Sequence, residues 1–331
     1  MAGNQAVAAN SVVGPHANLA ITTHGSDWYF TVCSIMGVTT IGIMIWALKK
    51  PQTHRLFHYI TALITAVACI AYWCMACDLG QTPIQAEFVR RGITRAAGTR
   101  EIFYVRYIDW FVTTPLLLLD LLLTAGVPWP TILVTLVADE IMIVTGLVGA
   151  LTQTRYKWGF WTFGMAAFFF VVYELLVDAR RHANALGGPI KSTFMRCGVL
   201  TIFLWFLYPI AWGVSEGGNV IHPDSEAVFY GILDVLAKPV FSILLLLGHR
   251  NIDPAMLGLR IREPTGYQEK GAAAPTYGAG VNNGVNNGVN NGVHDGVNNG
   301  VNNGVNNGVH NGVNNGVNNG AYTGTTGTHT A

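Results

Sequence analysis

Seven apolar stretches, each close to the roughly 20 residues needed to cross the hydrocarbon core of a bilayer, set the strongest limit on what this chain can fold into. Most of the links between them are short, which is typical of antiparallel neighbours in a compact helical bundle. The sequence therefore predicts an all-α fold, a bundle of seven transmembrane helices. The stretches cover residues 28–48, 54–77, 102–123, 130–151, 158–177, 197–214 and 227–247.

The chain divides into three predicted regions. Residues 1–26 are polar, lack lysine and arginine, give no signal-peptide pattern and are expected to be extracellular. Residues 27–262 form the seven-helix domain, and residues 263–331 form a tail. The positive-inside rule favours an external N-terminus, which places the tail in the cytoplasm. The cations that would then be cytoplasmic are Lys49, Lys50, Arg55, Arg180, Arg181, Lys191, Arg196 and Arg250.

Two polar segments differ from the short links. Residues 80–100 carry four arginines and are long enough to hold a small hairpin. From Val281 to Gly320 the tail repeats Val-Asn-Asn-Gly with few variants, and its low apolar content predicts disorder. A repetitive turn-rich β structure and self-association of the Asn-rich repeats are the alternatives.

Composition excludes several classes of protein. Hydrophobic residues make up 51% of the chain, charged residues 11%, and the net charge is +1, so we expect a lipid-embedded protein and no nucleic-acid partner. The five cysteines are an odd number, and most lie in apolar segments, so no disulfide framework is indicated. We predict no metal site.

Charged side chains inside the third stretch indicate function, because each costs on the order of 3 kcal/mol within a membrane. Asp109 and Asp120 are eleven residues apart and share one helix face, about 16 Å apart along the axis. Arg106 and Thr113 lie one turn on either side of Asp109 and are expected to flank its carboxylate. Asp120 lies among leucines, where desolvation should keep it protonated at rest.

Asp234 and Lys238 are four residues apart in the seventh stretch and therefore stack on one helix face. A buried lysine is suited to Schiff-base chemistry. The alternative is an intrahelical ion pair that only fixes helix packing. Aromatic side chains that recur at helical spacing are more often ordinary packing, although together they could line a long flat apolar ligand. They are Trp205, Tyr208 and Trp212, with Trp110, Trp161 and Tyr72.

Five motifs in these stretches closely resemble the microbial rhodopsins, in particular the fungal, bacteriorhodopsin-like branch of light-driven proton pumps. The resemblance covers all seven stretches. It rests on Arg-Tyr-Ile-Asp-Trp, Thr-Thr-Pro-Leu-Leu-Leu-Leu-Asp, Ile-Met-Ile-Val-Thr-Gly-Leu-Val-Gly-Ala, Trp-Phe-Leu-Tyr-Pro-Ile-Ala-Trp and Leu-Asp-Val-Leu-Ala-Lys-Pro.

The resemblance implies a light-driven ion transporter rather than an enzyme. Lys238 is expected to hold all-trans retinal as a protonated Schiff base, with Asp109 and Asp234 as counterions and Arg106 ordering water beside them. In the family's cycle the residue matching Asp109 accepts the proton and the residue matching Asp120 donates the next one. The net result is a proton moved outwards.

Further roles carry over by position. Glu216 and Glu226 match the outward proton-release pair, although either also reads as an ordinary carboxylate at a helix end. Tyr72 matches the tyrosine that holds the second counterion. The expected retinal pocket consists of Trp110, Thr114, Met142, Gly146, Trp161, Gly164, Trp205, Tyr208 and Trp212.

Some features depart from the family pattern or leave alternatives open. Glu140 and Val144 replace glycines of the best-known archaeal pump and are expected to alter the pocket, whereas Asp139 fits a structural carboxylate. The competing function is a slow sensory photoreceptor that signals through a partner, against which Asp120 argues. A halide pump is disfavoured because Asp109 fills the anion position. The expected location is the plasma membrane, with a homo-oligomer left open.

Overall fold

The computed structural model describes residues 4–11, 16–89 and 98–259. Within these ranges seven helices are long and apolar enough to cross a membrane, which confirms the predicted fold and makes the chain an integral membrane protein. The tail and the arginines at positions 90, 91 and 95 lie outside the described residues. The helices are α1 (Thr23–Leu48), α2 (Leu56–Ala76), α3 (Tyr104–Ala125), α4 (Trp129–Leu151), α5 (Lys157–Leu186), α6 (Gly188–Gly217) and α7 (Pro223–Asn251).

Two helices extend well beyond the stretches predicted from hydropathy. Helix α5 continues to Leu186 rather than ending near residue 177, and α6 begins at Gly188 rather than near residue 197. The added segments carry Arg180, Lys191 and Arg196, which suit the aqueous side of a membrane. Apolar content reports how much of a helix lies in lipid, so it underestimates a helix that continues into water.

Consecutive helices pack against each other, and α7 closes the ring against α1. Helix α3 is the most enclosed of the seven. In its most apolar segment 67% of the residues are buried, compared with 22% in that of α5. Large apolar side chains on the outer faces stay exposed, among them Val38, Ile41 and Phe163. That distribution fits a bundle whose outside faces lipid and whose centre is α3.

The predicted hairpin between α2 and α3 is present. Strand β1 (Thr82–Gln85) pairs antiparallel with strand β2 (Thr99–Ile102), with Thr82 opposite Ile102. Leu19 forms a parallel bridge to Arg100, so the segment before α1 adds to the same edge. The hairpin brings Arg100 and Glu101 into the end of the bundle at which α1 begins, called the outer end below, where both are buried.

Gly231 of α7 lies against Trp28 of α1, where the ring of helices closes. The indole Nε1 of Trp28 donates a hydrogen bond to the carbonyl of Ala227, at 3.0 Å. A Cβ at position 231 would overlap that same indole nitrogen. The absence of a side chain at Gly231 therefore makes room for the indole between the two helices.

We predict that Gly231→Ala destabilises the fold by about 1–3 kcal/mol, because an added methyl group in a packed contact forces neighbouring groups to shift. The unfolding temperature in detergent, followed by circular dichroism, measures the effect. Gly42→Ala is the matched control, since no atom lies within 4 Å of a Cβ there and alanine is the better helix residue. Equal shifts for both variants would contradict the tight contact.

Glu101 of β2 is a buried carboxyl at the outer end of the bundle. Its Oε2 accepts a hydrogen bond from the backbone N–H of Ile21, at 2.8 Å. Burial, and next a hydrogen bond with the side chain of Asp78, raise the pKa of Glu101 to about 9. The folded protein therefore holds a proton that the unfolded chain releases at a lower pH.

We predict that wild-type stability falls as pH rises from about 5 to about 9, because over this range the folded state binds the Glu101 proton and the unfolded state does not. Glu101→Gln keeps the shape and the neutral form, so its unfolding temperature should fall less and exceed that of the wild type at pH 9. Thermal unfolding across this pH range measures both. Parallel profiles for the two proteins would show that Glu101 does not titrate there.

Candidate functional site

Lys238 lies near the middle of α7, in the π-helical segment Leu236–Val240. Pro239 follows it directly and has no N–H to continue the α-helical hydrogen bonding. A π-helical turn in a long helix frequently marks a functional site, because the additional residue changes where side chains point. The local sequence thus positions the Lys238 ammonium toward the inside of the bundle, where its side chain is 2% exposed.

Two carboxylates pair with this ammonium. Nζ of Lys238 lies 2.7 Å from Oδ2 of Asp109 on α3 and 3.1 Å from Oδ1 of Asp234, one turn earlier on α7. All three side chains are buried. A buried ammonium needs such partners, since an unpaired charge in a low-dielectric interior is strongly unfavourable. The predicted Lys238, Asp109 and Asp234 cluster is therefore present in the fold.

The two carboxylates differ in how they are held. Asp234 accepts hydrogen bonds from the hydroxyls of Tyr72 on α2 and Tyr208 on α6, each at 2.6 Å. Oδ1 of Asp109 has no hydrogen-bond partner among the described residues. Donated hydrogen bonds stabilise an ionised carboxylate. Both oxygens of Asp234 are thus held by tyrosine hydroxyls, whereas Oδ1 of Asp109 has no such bond within the described ranges.

Arg106 differs from its expected place beside Asp109. Its guanidinium lies 2.5 Å from Oε1 of Glu226 and 3.3 Å from Oε1 of Glu216, and it donates to the Tyr29 hydroxyl at 2.8 Å. Thr113, in contrast, stays beside Asp109: it donates to the backbone carbonyl of Asp109, at 2.8 Å, and its side chain also interacts with the Asp109 carboxyl. Spacing along α3 alone suggested the contact, but the glutamates of α6 and α7 offer the buried guanidinium two carboxylates further out.

The predicted pair Glu216 and Glu226 is brought together through Arg106. Sequence reasoning missed a second cation here, Arg100 of β2, which lies 2.5 Å from Oε2 of Glu226. Arg100 also donates to Asn219 Oδ1 at 2.8 Å and to the backbone carbonyl of Ile221 at 2.7 Å. Arg100 reaches Glu226 only because the β1–β2 hairpin folds against the bundle. Its position in a polar link of the sequence therefore gave no sign of this contact. Each oxygen of Glu226 therefore meets one arginine.

Glu216 is held differently from Glu226. Its carboxyl accepts hydrogen bonds from the hydroxyls of Tyr107, at 3.2 Å, and Tyr230, at 3.1 Å. Its backbone carbonyl accepts a bond from Lys157, at 3.2 Å. These contacts are mostly to neutral groups, whereas those of Glu226 are to two guanidinium ions. The two members of the pair therefore have unequal electrostatic surroundings.

Asp120 lies apart from these clusters, toward the other end of α3. Its side chain is 0% exposed, and neither carboxyl oxygen has a hydrogen-bond partner among the described residues. Leu117, Leu118 and Leu121 belong to the apolar cluster of this part of the core. The leucine surroundings expected from the sequence are present, and they disfavour an ionised carboxylate.

A cavity extends from Lys238 between α3, α4, α5, α6 and α7. Its volume, measured as the space open to the centre of a water molecule, is about 100 Å³. This is several times the roughly 10–15 Å³ that one water needs on the same measure. Every residue of the expected retinal pocket lines this cavity. Tyr72 does not line it, but its hydroxyl bonds to Asp234, which does. The remaining lining, which the sequence analysis did not name, consists of Tyr107, Leu117, Ile143, Met165, Phe168, Pro209 and Ala237.

The departures in α4 lie outside this cavity. Neither Glu140 nor Val144 is among the cavity-lining residues, and Val144 is 44% exposed on the outer face. Any effect of these two residues on the pocket must therefore pass through the side chains that line it. Asp139 accepts a hydrogen bond from Thr114 at 2.7 Å, joining α4 to α3 behind the cavity wall. This contact fits a structural role.

Comparison with known proteins places this geometry in a family. Residues 23–252 match the sequence model of the protein family described as bacteriorhodopsin-like protein. The chain is 60% identical over 252 residues to the opsin-like protein carO of Fusarium fujikuroi, covering 76% of this chain and 82% of that protein.

Two solved structures are also similar. The light-driven proton pump of Leptosphaeria maculans is 37% identical with a TM-score of 0.67, covering 71% of this chain and 99% of that one. Halorhodopsin, a light-driven chloride pump, is 27% identical with a TM-score of 0.64, covering 71% and 98%. The chain belongs to the bacteriorhodopsin-like family, as a fungal microbial rhodopsin among light-driven ion pumps that normally bind retinal.

Proposed function

We propose that this protein is a retinal-binding, light-driven outward proton pump in which Asp109 accepts the proton and Asp120 supplies the next one. The observation that carries the proposal is the 2.7 Å contact between Nζ of Lys238 and Oδ2 of Asp109, with a second buried carboxyl further along the same helix. A fixed carboxylate at Asp109 argues against an anion pump, which needs that position free for its ion.

The cavity fits retinal. It is lined mainly by apolar and aromatic side chains, and a buried primary amine stands at one wall, the group that condenses with an aldehyde. Lys238 would hold retinal covalently, and Trp110, Trp161 and Trp205 would enclose it. When bound, retinal would supply light absorption and a light-induced change of shape at the Lys238 nitrogen.

Asp109 is better placed than Asp234 to take a proton from Nζ of Lys238. Oδ2 of Asp109 is the nearest carboxyl oxygen, and Oδ1 has no partner among the described residues. Both oxygens of Asp234 are engaged by tyrosine hydroxyls, and a proton there would disrupt these bonds. Protonation of Asp109 leaves Asp234 as the remaining anion beside Lys238.

The outer cluster provides a proton exit. Glu226 is held between Arg100 and Arg106, which favour its ionised form. Glu216 meets Arg106 at the longer distance of 3.3 Å and otherwise accepts from tyrosine hydroxyls. We therefore infer that Glu216 is the member of the release pair that holds the exchangeable proton.

Asp120 is proposed to be the internal proton store. It is buried with unpartnered carboxyl oxygens among the described residues, so a resting negative charge would be uncompensated. It lies on the face of α3 that also carries Asp109, on the opposite side of Lys238 from the glutamates. A proton that passes from Asp120 to Lys238 therefore moves toward the glutamates, the same direction as a proton that passes from Asp109 to Glu216 and leaves the protein.

The orientation follows from the positive-inside rule, with the N-terminus outside and the end of α7 in the cytoplasm. We place the protein in the plasma membrane, where each proton moved against 100 mV costs about 2.3 kcal/mol. Glu216 and Glu226 then face outward and Asp120 faces the cytoplasm, as outward pumping requires.

The proposal predicts that illuminated, retinal-supplied cells acidify an unbuffered medium, that an uncoupler abolishes this change, and that Asp109→Asn stops it. The variant should also absorb at longer wavelength, because the anion nearest the Lys238 nitrogen is lost. Asp27→Asn applies the same chemical change at an exposed position and should pump normally. A coloured wild-type protein that leaves the medium pH unchanged would favour the sensory alternative.

A second prediction concerns Asp120→Asn, which keeps the side-chain shape but carries no acidic proton. Return of the flash-excited protein to its dark state should slow by on the order of 100-fold, the lower range for a lost proton donor. Added azide, a small carrier of protons, should restore the rate. Flash photolysis with and without azide measures both effects, and unchanged recovery would remove Asp120 from the donor role.

A further inference from the structure

A second, smaller pocket lies at the end of the bundle that the proposed orientation places in the cytoplasm. Its space for the centres of water-sized spheres is about 40 Å³, enough for more than one water. The imidazole Nε2 of His58 is buried and has no hydrogen-bond partner among the described residues. The side chains that give the pocket its polar character are Lys50, His54, His58, His249 and Arg250.

His249 forms the side of this pocket nearest to Asp120. Its ring stacks on Phe57 with centroids 4.1 Å apart, which fixes the plane of the imidazole. Nδ1 lies 2.9 Å from the backbone carbonyl of Leu245, and Nε2 lies 3.1 Å from Oγ1 of Thr124. A carbonyl only accepts, so Nδ1 carries a proton. Nε2 is therefore the nitrogen that can gain and lose one.

The Thr124 hydroxyl joins His249 to the backbone of Asp120. Its Oγ1 lies 2.6 Å from the carbonyl oxygen of Asp120, one turn earlier on α3. A hydroxyl has one proton to donate. When His249 is neutral, its Nε2 and the backbone carbonyl of Asp120 compete for the hydroxyl proton of Thr124. When His249 is protonated at Nε2, it donates to Oγ1 of Thr124, and the hydroxyl can then donate to the carbonyl of Asp120. The charge of His249 therefore sets the hydrogen bonding beside Asp120.

The groups that face His249 across the pocket are basic. Lys50 follows α1, His54 precedes α2, His58 lies on α2 and Arg250 follows His249 on α7. Among the described residues no carboxylate forms an ion pair with His249 that would retain its proton. A proton that enters the pocket can bind Nε2 and remain transferable.

We propose that His249 is a proton relay that refills Asp120 from the cytoplasmic side. Nε2 takes a proton from the pocket and gives it to Oγ1 of Thr124, while the hydroxyl proton of Thr124 turns from the backbone carbonyl of Asp120 to the carboxylate of that residue, once the carboxylate has given up its own proton. The Nε2–H bond of His249 and the O–H bond of Thr124 break, a new O–H bond forms at Thr124 and another at Asp120, and neutral His249 binds the next proton. The inference rests on the proposed function, since it takes Asp120 as the internal donor.

The same chain offers a matched control. His182, near the end of α5, places Nδ1 3.0 Å from the carbonyl of Asp178, the same bond to the fourth preceding residue that His249 makes. It does not line the basic pocket. A histidine that serves only to bond the last turn of its helix would behave like His182.

The experiment uses the full chain with retinal in lipid nanodiscs. After a flash, a pH-indicator dye reports proton uptake from the medium and absorbance reports return to the dark state. His249→Gln should delay uptake by about ten-fold or more, the loss expected when a proton carrier is removed. Imidazole added to the medium should restore the rate. Thr124→Val, which removes the hydroxyl, should also delay uptake, and His182→Gln should match the wild type.

Each other outcome overturns the relay. Uptake at the wild-type rate in His249→Gln and Thr124→Val excludes it, and so does a delay that imidazole fails to relieve, since a structural defect is not rescued by a proton carrier. If His249→Gln does not bind retinal, Thr124→Val decides alone. Asp120→Asn separates the two proposals: slow recovery there with normal uptake in His249→Gln removes only the relay, whereas normal recovery removes the donor as well.

Discussion

The buried ammonium of Lys238 is the constraint on which the rest of the structure depends. Its charge, close to the centre of the bundle, requires carboxylates within contact distance, and Asp109 and Asp234 meet that requirement at 2.7 and 3.1 Å. The hydroxyls that bind Asp234 come from α2 and α6. Four of the seven helices are therefore tied to one charge, and three of these four, α3, α6 and α7, also border the cavity beside it.

The two carboxylates beside Lys238 are supported unequally. Asp234 is held on both oxygens, whereas Asp109 keeps one oxygen without a partner among the described residues. The outer pair repeats this asymmetry, because Glu226 meets two arginines and Glu216 meets mostly tyrosine hydroxyls. In each pair one carboxylate is bonded on both oxygens by strong donors. The proposed function assigns proton exchange to the other member.

The sequence predicted what repeats along a single helix and missed what only folding brings together. Periodicity and length found seven spans, and helical spacing aligned Asp109 with Asp120. The same spacing suggested that Arg106 flanks Asp109, yet the arginine binds glutamates more than 100 positions later in the chain, whose proximity no local pattern encodes. Arg100 was missed for that reason too, since the β1–β2 hairpin alone carries it inside.

The length of α3 keeps its two buried aspartates apart. Asp109 and Asp120 are separated by about 16 Å of helix, far beyond hydrogen-bond reach. Leu117 and Leu118 are buried in the turn of α3 that precedes Asp120. In the proposed pump, a proton that leaves Asp120 would reach Nζ of Lys238, which lies beside Asp109, only by crossing this gap. For the proposed outward transport, the apolar turns of α3 would therefore matter as much as the two aspartates that they separate.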